Sequence, residues 1–319
     1  MKEQKKLSKG IRVLIYIGIL ISVIVGIFLF SYLGTSVKEE NTEIQKNKRI
    51  VVLVSIDGLG SNLLSSTNTP FLQSLIDDKE ILSTLEMKTL VQSETMPSHI
   101  SMVTGLTQNH HGFYTNTLEE DTPILDKDTI FDYALDNGYS YYAFLTKSKL
   151  IYLLGGKEGE NIVIKEEYSD TVMDDIDTMV EDEEERILVF IHLKDIDSYG
   201  HEYGWESKEQ LSVLKELDRE LELMVDDFRD EYSDYERYFI FTADHGGEGK
   251  QHSDGCYDCR RIPFILFNDD SPSYNFKNFT FSIYDVACVV LKLMHVTETE
   301  HLDCVLDTDF SIVNEEFGI

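Results

Sequence analysis

At 319 residues, 42% hydrophobic and 11% aromatic, the chain has enough apolar material for one large α/β domain with an appendage. Its 28 basic residues face 59 acidic ones, a formal net charge of −31, which argues against a nucleic-acid polymer as a partner. Five of the basic residues lie before residue 13, so the rest of the chain carries no basic patch for anionic lipid.

Those five, Lys2, Lys5, Lys6, Lys9 and Arg12, precede Val13–Leu33, 21 residues without a charge. A run of that length can cross a bilayer as a helix, and it is longer than the apolar region of a cleaved secretory signal. The expected organisation is a cytoplasmic basic tail over 1–12, a single transmembrane signal anchor over 13–33, a polar tether over 34–48 and a folded domain over 49–319. The flanking positive charge places the domain outside the cytoplasm.

The domain opens with Ile50–Ile56, a continuous Val/Ile/Leu run that reads as a strand buried on both faces and delivers Asp57 at its end. Thr69-Pro70 then starts an amphipathic helix that covers the core. Within Ser93–Gly105, Pro97 favours a helix start and Gly105 a helix end, which puts Thr95 at or just before a helix N-terminus. Free N–H groups and the helix dipole stabilise an anion there. The segment running from His111 to Asn116 follows.

Tyr141–Leu145 is a further apolar run, and Lys147 and Lys149 follow it. Two lysines two apart in a strand would face the same side and suit an anion at a pocket rim. Residues 169–185 carry a helical apolar stripe with a solvated acidic face, and Tyr203–Phe228 continues in the same way. Between them, the strand Ile187–Ile191 leads through His192 to Asp197 and His201.

A third buried strand, Tyr238–Phe241, feeds the segment FTADHGGEGKQH, which supplies Asp244, His245 and His252. Ligands in open α/β sheets bind beyond the carboxyl ends of the strands. Three strand-end aspartates there would repel unless paired with cations, and a carboxylate–imidazole set suits zinc or another borderline divalent ion. His99, His110, His111, His295 and His301 receive no ligand role. Cys256, Cys259, Cys288 and Cys304 allow two disulfides in three connectivities, and Asn278-Phe-Thr280 matches a glycosylation acceptor by pattern alone.

In their order and spacing, Asp57, Thr95, Asp197, His201, Asp244, His245 and His252 resemble the alkaline phosphatase superfamily, most closely its nucleotide pyrophosphatase/phosphodiesterase branch. The resemblance implies a mostly parallel central sheet with helices on both faces and an enzyme acting on small-molecule or lipid phosphoesters. It implies two zinc ions, one on Asp197, His201 and His252 and the other on Asp57, Asp244, His245 and the Thr95 hydroxyl. Thr95 would be the nucleophile, and Asn116 would hydrogen-bond a nonbridging phosphate oxygen.

Three departures bear on the branch. His192 stands where superfamily phosphomonoesterases carry a glutamate for a third metal, so a two-metal site is expected. Met96 replaces the phenylalanine with which the phosphodiesterases stack a base. Lys147 and Lys149 are similar to the paired lysines with which phosphonoacetate hydrolases hold a substrate carboxylate. The expected activity is phosphodiester or pyrophosphate hydrolysis. The alternatives are phosphonate or phosphomonoester hydrolysis, phospho-group transfer on the same site, and an inactive metal-stabilised binding module.

Overall fold

The structure, a computed structural model, describes residues 48–119, 121–155, 161–166, 176, 184–253, 255–268, 281–296 and 302–303. The expected tail, anchor and tether up to residue 47, most of the 169–185 helix, Asn278–Thr280 and Cys304 lie outside the described residues. No helix among the described residues is long and apolar enough to cross a membrane.

Seven strands form one mixed sheet: β1 (Arg49–Ile56), β2 (Leu82–Lys88), β3 (Ser140–Leu145), β4 (Ile162–Ile164), β5 (Arg186–Leu193), β6 (Glu236–Thr242) and β7 (Arg261–Asn268). Their order is β2-β7-β6-β1-β5-β3-β4. The pairs β6–β1, β1–β5, β5–β3 and β3–β4 are parallel, while β7 runs antiparallel to β6 and to β2. The three runs read as buried strands are therefore neighbours at the centre. Every residue of β1 is buried, and each large aliphatic side chain so enclosed is worth about 1.5–3 kcal/mol.

The helices are α1 (Pro70–Asp77), α2 (Thr95–Thr104), α3 (Gln108–His111), α4 (Ile130–Asp136), α5 (Asp195–Tyr203), α6 (Lys208–Glu231), α7 (Tyr257–Arg260) and α8 (Asp285–Leu293). Strand register shows that they cover both faces. Paired residues share a face, and Ser55 is opposite both His192 and Thr242. On that face Ser55 meets His99 of α2 at 2.9 Å, and Phe190 meets Phe131 of α4 at 5.7 Å. On the opposite face, Phe241 packs edge-on to Phe71 of α1, and Phe239 packs against Phe228 of α6. The buried Asp218 of α6 accepts from the Phe71 and Leu72 amides at 2.8 and 3.0 Å, pinning the first turn of α1.

Two sequence expectations change. The stretch from Tyr203 to Phe228 is interrupted: α5 ends at Gly204, whose φ is 103°, and α6 starts afresh with Ser207 accepting from the Gln210 amide. Lys147 and Lys149 are not in a strand, because β3 ends at Leu145 and a 3-10 helix over Ser148–Leu154 begins just after Lys147. Their side chains need not face alike, and they do not.

Candidate active site

All three aspartates sit where their strands stop. Asp57 follows β1 directly. Gly58 then turns with φ 82°, and a Cβ there would come within 2.8 Å of the Asp197 backbone. The turn lets the Asp197 amide donate to the Asp57 carbonyl at 2.9 Å, locking the first turn of α5 against β1. Asp244 and His245 follow β6. Gly247 is required because a Cβ would overlap the indole of Trp205 at 2.1 Å. Trp205, which donates to the Gly58 carbonyl at 3.0 Å, in turn supports the His201 and His252 rings.

Each carboxylate has one oxygen held by the protein and one left bare. Asp57 Oδ2 meets Lys147 Nζ at 2.6 Å and His192 Nε2 at 3.0 Å. Asp197 Oδ2 accepts from the same ammonium at 2.8 Å. Asp244 Oδ1 accepts from the Gly58 and His245 amides. The other oxygens, Asp57 Oδ1, Asp197 Oδ1 and Asp244 Oδ2, are buried and receive no hydrogen bond among the described residues.

The imidazoles repeat this pattern. The Nδ1 atoms of His201, His245 and His252 lie 2.6–3.0 Å from the carbonyls of Lys250, Gly246 and Ser93. A carbonyl only accepts, so each Nδ1 carries the hydrogen, and in the neutral ring each Nε2 presents a lone pair.

The bare atoms gather in two adjoining groups. Asp197 Oδ1, His201 Nε2 and His252 Nε2 lie 3.1, 3.3 and 3.7 Å from one another. His245 Nε2 lies 3.4 Å from both Asp57 Oδ1 and Asp244 Oδ2. Ligand atoms around a tetrahedral zinc, at bonds of 2.0–2.1 Å, are separated by about 3.3 Å. A divalent ion in each group would relieve the repulsion between lone pairs facing each other at such distances, so the donors fit two such ions. His245 stacks on His252 with ring centres 3.7 Å apart, joining the groups.

Charge tells the same story. Burial works against the charge of Asp57, yet Lys147 and the His192 hydrogen bond outweigh it and hold the carboxyl well below its usual range. Burial and the neighbouring Asp57 push Asp244 the other way, up. Burial, with His245 beside it, lowers His252 to about 4, keeping a neutral ring.

Thr95 is the first residue of α2 and is buried, and the N-cap is Glu94. Its hydroxyl makes no hydrogen bond among the described residues, so it is not a capping group. His99, one turn on, links its carbonyl (2.8 Å) to Ser55 (2.9 Å) and lies 3.5 Å from Asp244. Asn116 Oδ1 accepts from the Met96 amide at 3.0 Å and from Lys149 Nζ at 2.9 Å. All ten residues singled out in the sequence thus belong to one connected site. The sequence reading missed His192 and His99. It also missed that Lys147 faces the aspartates. The one available signal was the position of His192 on a buried strand beside β1.

Cys256 and Cys259 form a disulfide, and Cys288 is disulfide-bonded too. The Cys259 carbonyl accepts from the Gly246 amide at 2.9 Å, so this bridge abuts the loop that carries the histidines.

A model of the family described as type I phosphodiesterase / nucleotide pyrophosphatase matches residues 51–259. Over 272 residues the chain is 25% identical to an uncharacterized pyrophosphatase/phosphodiesterase of Schizosaccharomyces pombe, covering 76% of this chain and 54% of that protein. Over 85 residues it is 39% identical to GPI ethanolamine phosphate transferase 1 of Neurospora crassa, covering 26% of this chain and 8% of that one. The chain thus spans at most about half the length of these relatives. Murine ectonucleotide pyrophosphatase / phosphodiesterase 5, solved as an inactive threonine-to-alanine variant in complex with AMP, shares the fold. Its TM-score is 0.65 at 14% identity, covering 80% of this chain and 97% of that one. The periplasmic domain of EcEptC from Escherichia coli, in complex with zinc, gives 0.59 at 13%, covering 78% and 83%.

His111 stands five residues before Asn116 and generates a pH prediction. Its Nδ1 accepts from the Phe113 amide at 3.1 Å and its Nε2 donates to Ser101 at 3.0 Å, an arrangement open only to the neutral ring. Burial lowers its pKa to about 4, and burial does the same to His99. The unfolded chain, with histidines near 6.5, takes up the extra protons, so stability is lost as the pH falls from about 6.5 towards 4. The urea midpoint should decline between pH 7 and pH 5, and less steeply in His111→Asn. A midpoint constant over that range in the wild type would contradict the neutral assignment.

Proposed function

Because the chain belongs to the type I phosphodiesterase / nucleotide pyrophosphatase family of the alkaline phosphatase superfamily, we propose that it is a two-zinc phosphoester hydrolase with Thr95 as its nucleophile. Its substrates are phosphodiesters or pyrophosphates of small molecules or lipids. One observation carries the reading: three carboxylate oxygens and three imidazole Nε2 atoms converge in two adjoining groups, four of them without a hydrogen bond among the described residues, beside a helix N-terminus whose threonine hydroxyl makes none among those residues either.

Two zinc ions, one on Asp197, His201 and His252 and one on Asp57, Asp244, His245 and the Thr95 hydroxyl, would supply Lewis-acid stabilisation of the charge that builds on the phosphoryl, attacking and leaving oxygens. The protein's own groups do the rest. The N-terminus of α2 favours the ionised Thr95 hydroxyl and the phosphoryl oxygens. Asn116, with its carbonyl oxygen already occupied, offers its amide N–H groups to a nonbridging oxygen. Thr95 attacks phosphorus, the ester or anhydride oxygen leaves, and water then cleaves the phospho-threonine. His192 and Lys147 fix which oxygen Asp57 turns to the centre.

A second reading, transfer of the phospho group to an acceptor other than water, is favoured by the 39% identity to an ethanolamine phosphate transferase. It uses the same covalent intermediate.

We further propose that residues 13–33 anchor the domain on the extracytoplasmic face. Protease added to intact cells should then release it. A full-length chain surviving together with a cytoplasmic control would refute the topology.

Thr95→Ala removes the attacking oxygen and spares six ligands, so turnover should fall by roughly three orders of magnitude or more while zinc content holds. Thr95→Ser should retain substantial activity. A Thr95→Ala protein with near-normal turnover would leave direct attack by water as the mechanism.

A further inference from the structure

We infer that Lys149 is a positioning residue that acts on the phosphoester through Asn116 and without touching the substrate. The inference rests on the phosphoester reading of the site. Lys149 Nζ donates to Asn116 Oδ1 at 2.9 Å and lies 3.3 Å from the Asn116 carbonyl, while the Met96 amide donates to the same Oδ1 at 3.0 Å. A carbonyl oxygen has two lone pairs, and both are now used. The amide nitrogen makes no hydrogen bond among the described residues, so its two N–H groups are free for an anion.

Orientation is what this arrangement controls. The two ends of a primary amide differ little in shape but are opposite in polarity. A flipped Asn116 would point an acceptor oxygen at the phosphoryl group and repel it. The Met96 amide alone could hold Oδ1 only as firmly as one neutral hydrogen bond allows. An ammonium donor adds a charge-assisted bond and opposes the flip directly, since the amide nitrogen would then face a cation.

The two lysines divide the work. Lys147 stands just before the 3-10 helix over Ser148–Leu154 and bonds Asp57 and Asp197, tying that helix to the candidate metal ligands. Two residues later Lys149 reaches the other half of the site. In a chain this acidic its ammonium forms no ion pair with a carboxylate among the described residues, and its partner is a neutral amide. Such a placement is unexplained if Lys149 only solvates the surface. A residue meant to hold a substrate carboxylate needs an ammonium not already committed to the protein.

A double-mutant cycle tests this on the zinc-loaded protein, using a nitrophenyl phosphodiester for turnover and inorganic phosphate for equilibrium binding. Asn116→Ala and Lys149→Met should each lower kcat/KM by roughly tenfold to a hundredfold, the range for a hydrogen bond to a charged group. The double variant should lie within about twofold of Asn116→Ala, because Lys149 has nothing left to orient. Lys149→Arg should restore most of the loss, phosphate binding should weaken in the same pattern, and zinc content should stay constant. Lys149→Gln serves as the second truncation if the methionine variant does not fold.

Losses that multiply in the double variant, with an active wild type, overturn this inference and leave the phosphoester reading intact. So does a Lys149 truncation with unchanged turnover. A zinc-loaded wild type that neither cleaves the diester nor binds phosphate overturns both.

Discussion

Three carboxylates and three imidazole lone pairs brought together beyond the ends of β1, β5 and β6 are the constraint that the rest of the domain serves. Mutual repulsion inside a buried site is large, and nearby cations relieve it while leaving the carboxylates ionised. The protein supplies one of these itself. Lys147, between Asp57 and Asp197, takes the oxygens that face away from His201, His245 and His252 and leaves the facing ones bare. The two divalent ions proposed for the bare atoms would supply the remaining positive charge.

Holding lone pairs in opposition needs stiff surroundings, and the fold provides them. β1 is enclosed on both faces, so Asp57 leaves a strand that cannot shift. Gly58 and Gly247 allow the turns after β1 and β6 to approach α5 and Trp205 at distances no side chain would permit. The carbonyls of Ser93, Gly246 and Lys250 then set the tautomer of each histidine. Backbone carbonyls, for His201 and His252 supplied from 49 and 159 residues away, thus decide the direction in which each ring points.

Much of this was legible in the sequence. Continuous apolar runs followed within a few residues by aspartate announced the three central strands, and the spacing of Asp244, His245 and His252 announced ligands, because those signals are local. Contacts made across the fold were not legible. Lys147 and His192 meet Asp57 from 90 and 135 residues away, and no periodicity encodes such a meeting. The lysine pair misled for a related reason: alternation was assumed to continue past Leu145, whereas the chain turns into a 3-10 helix that sends the two ammonium groups to different partners. The edge strand β2 was missed because its residues are only partly buried and lack a clean alternation.

Zinc titration into metal-free protein, with stoichiometry read by equilibrium dialysis and stability by thermal unfolding, tests whether the two groups of donors each hold an ion. Two ions should bind per chain, with a melting temperature that rises as both sites fill. His201→Ala should lose one ion, since that residue belongs to a single group. Saturation at one ion or none in the wild type would contradict a two-ion site.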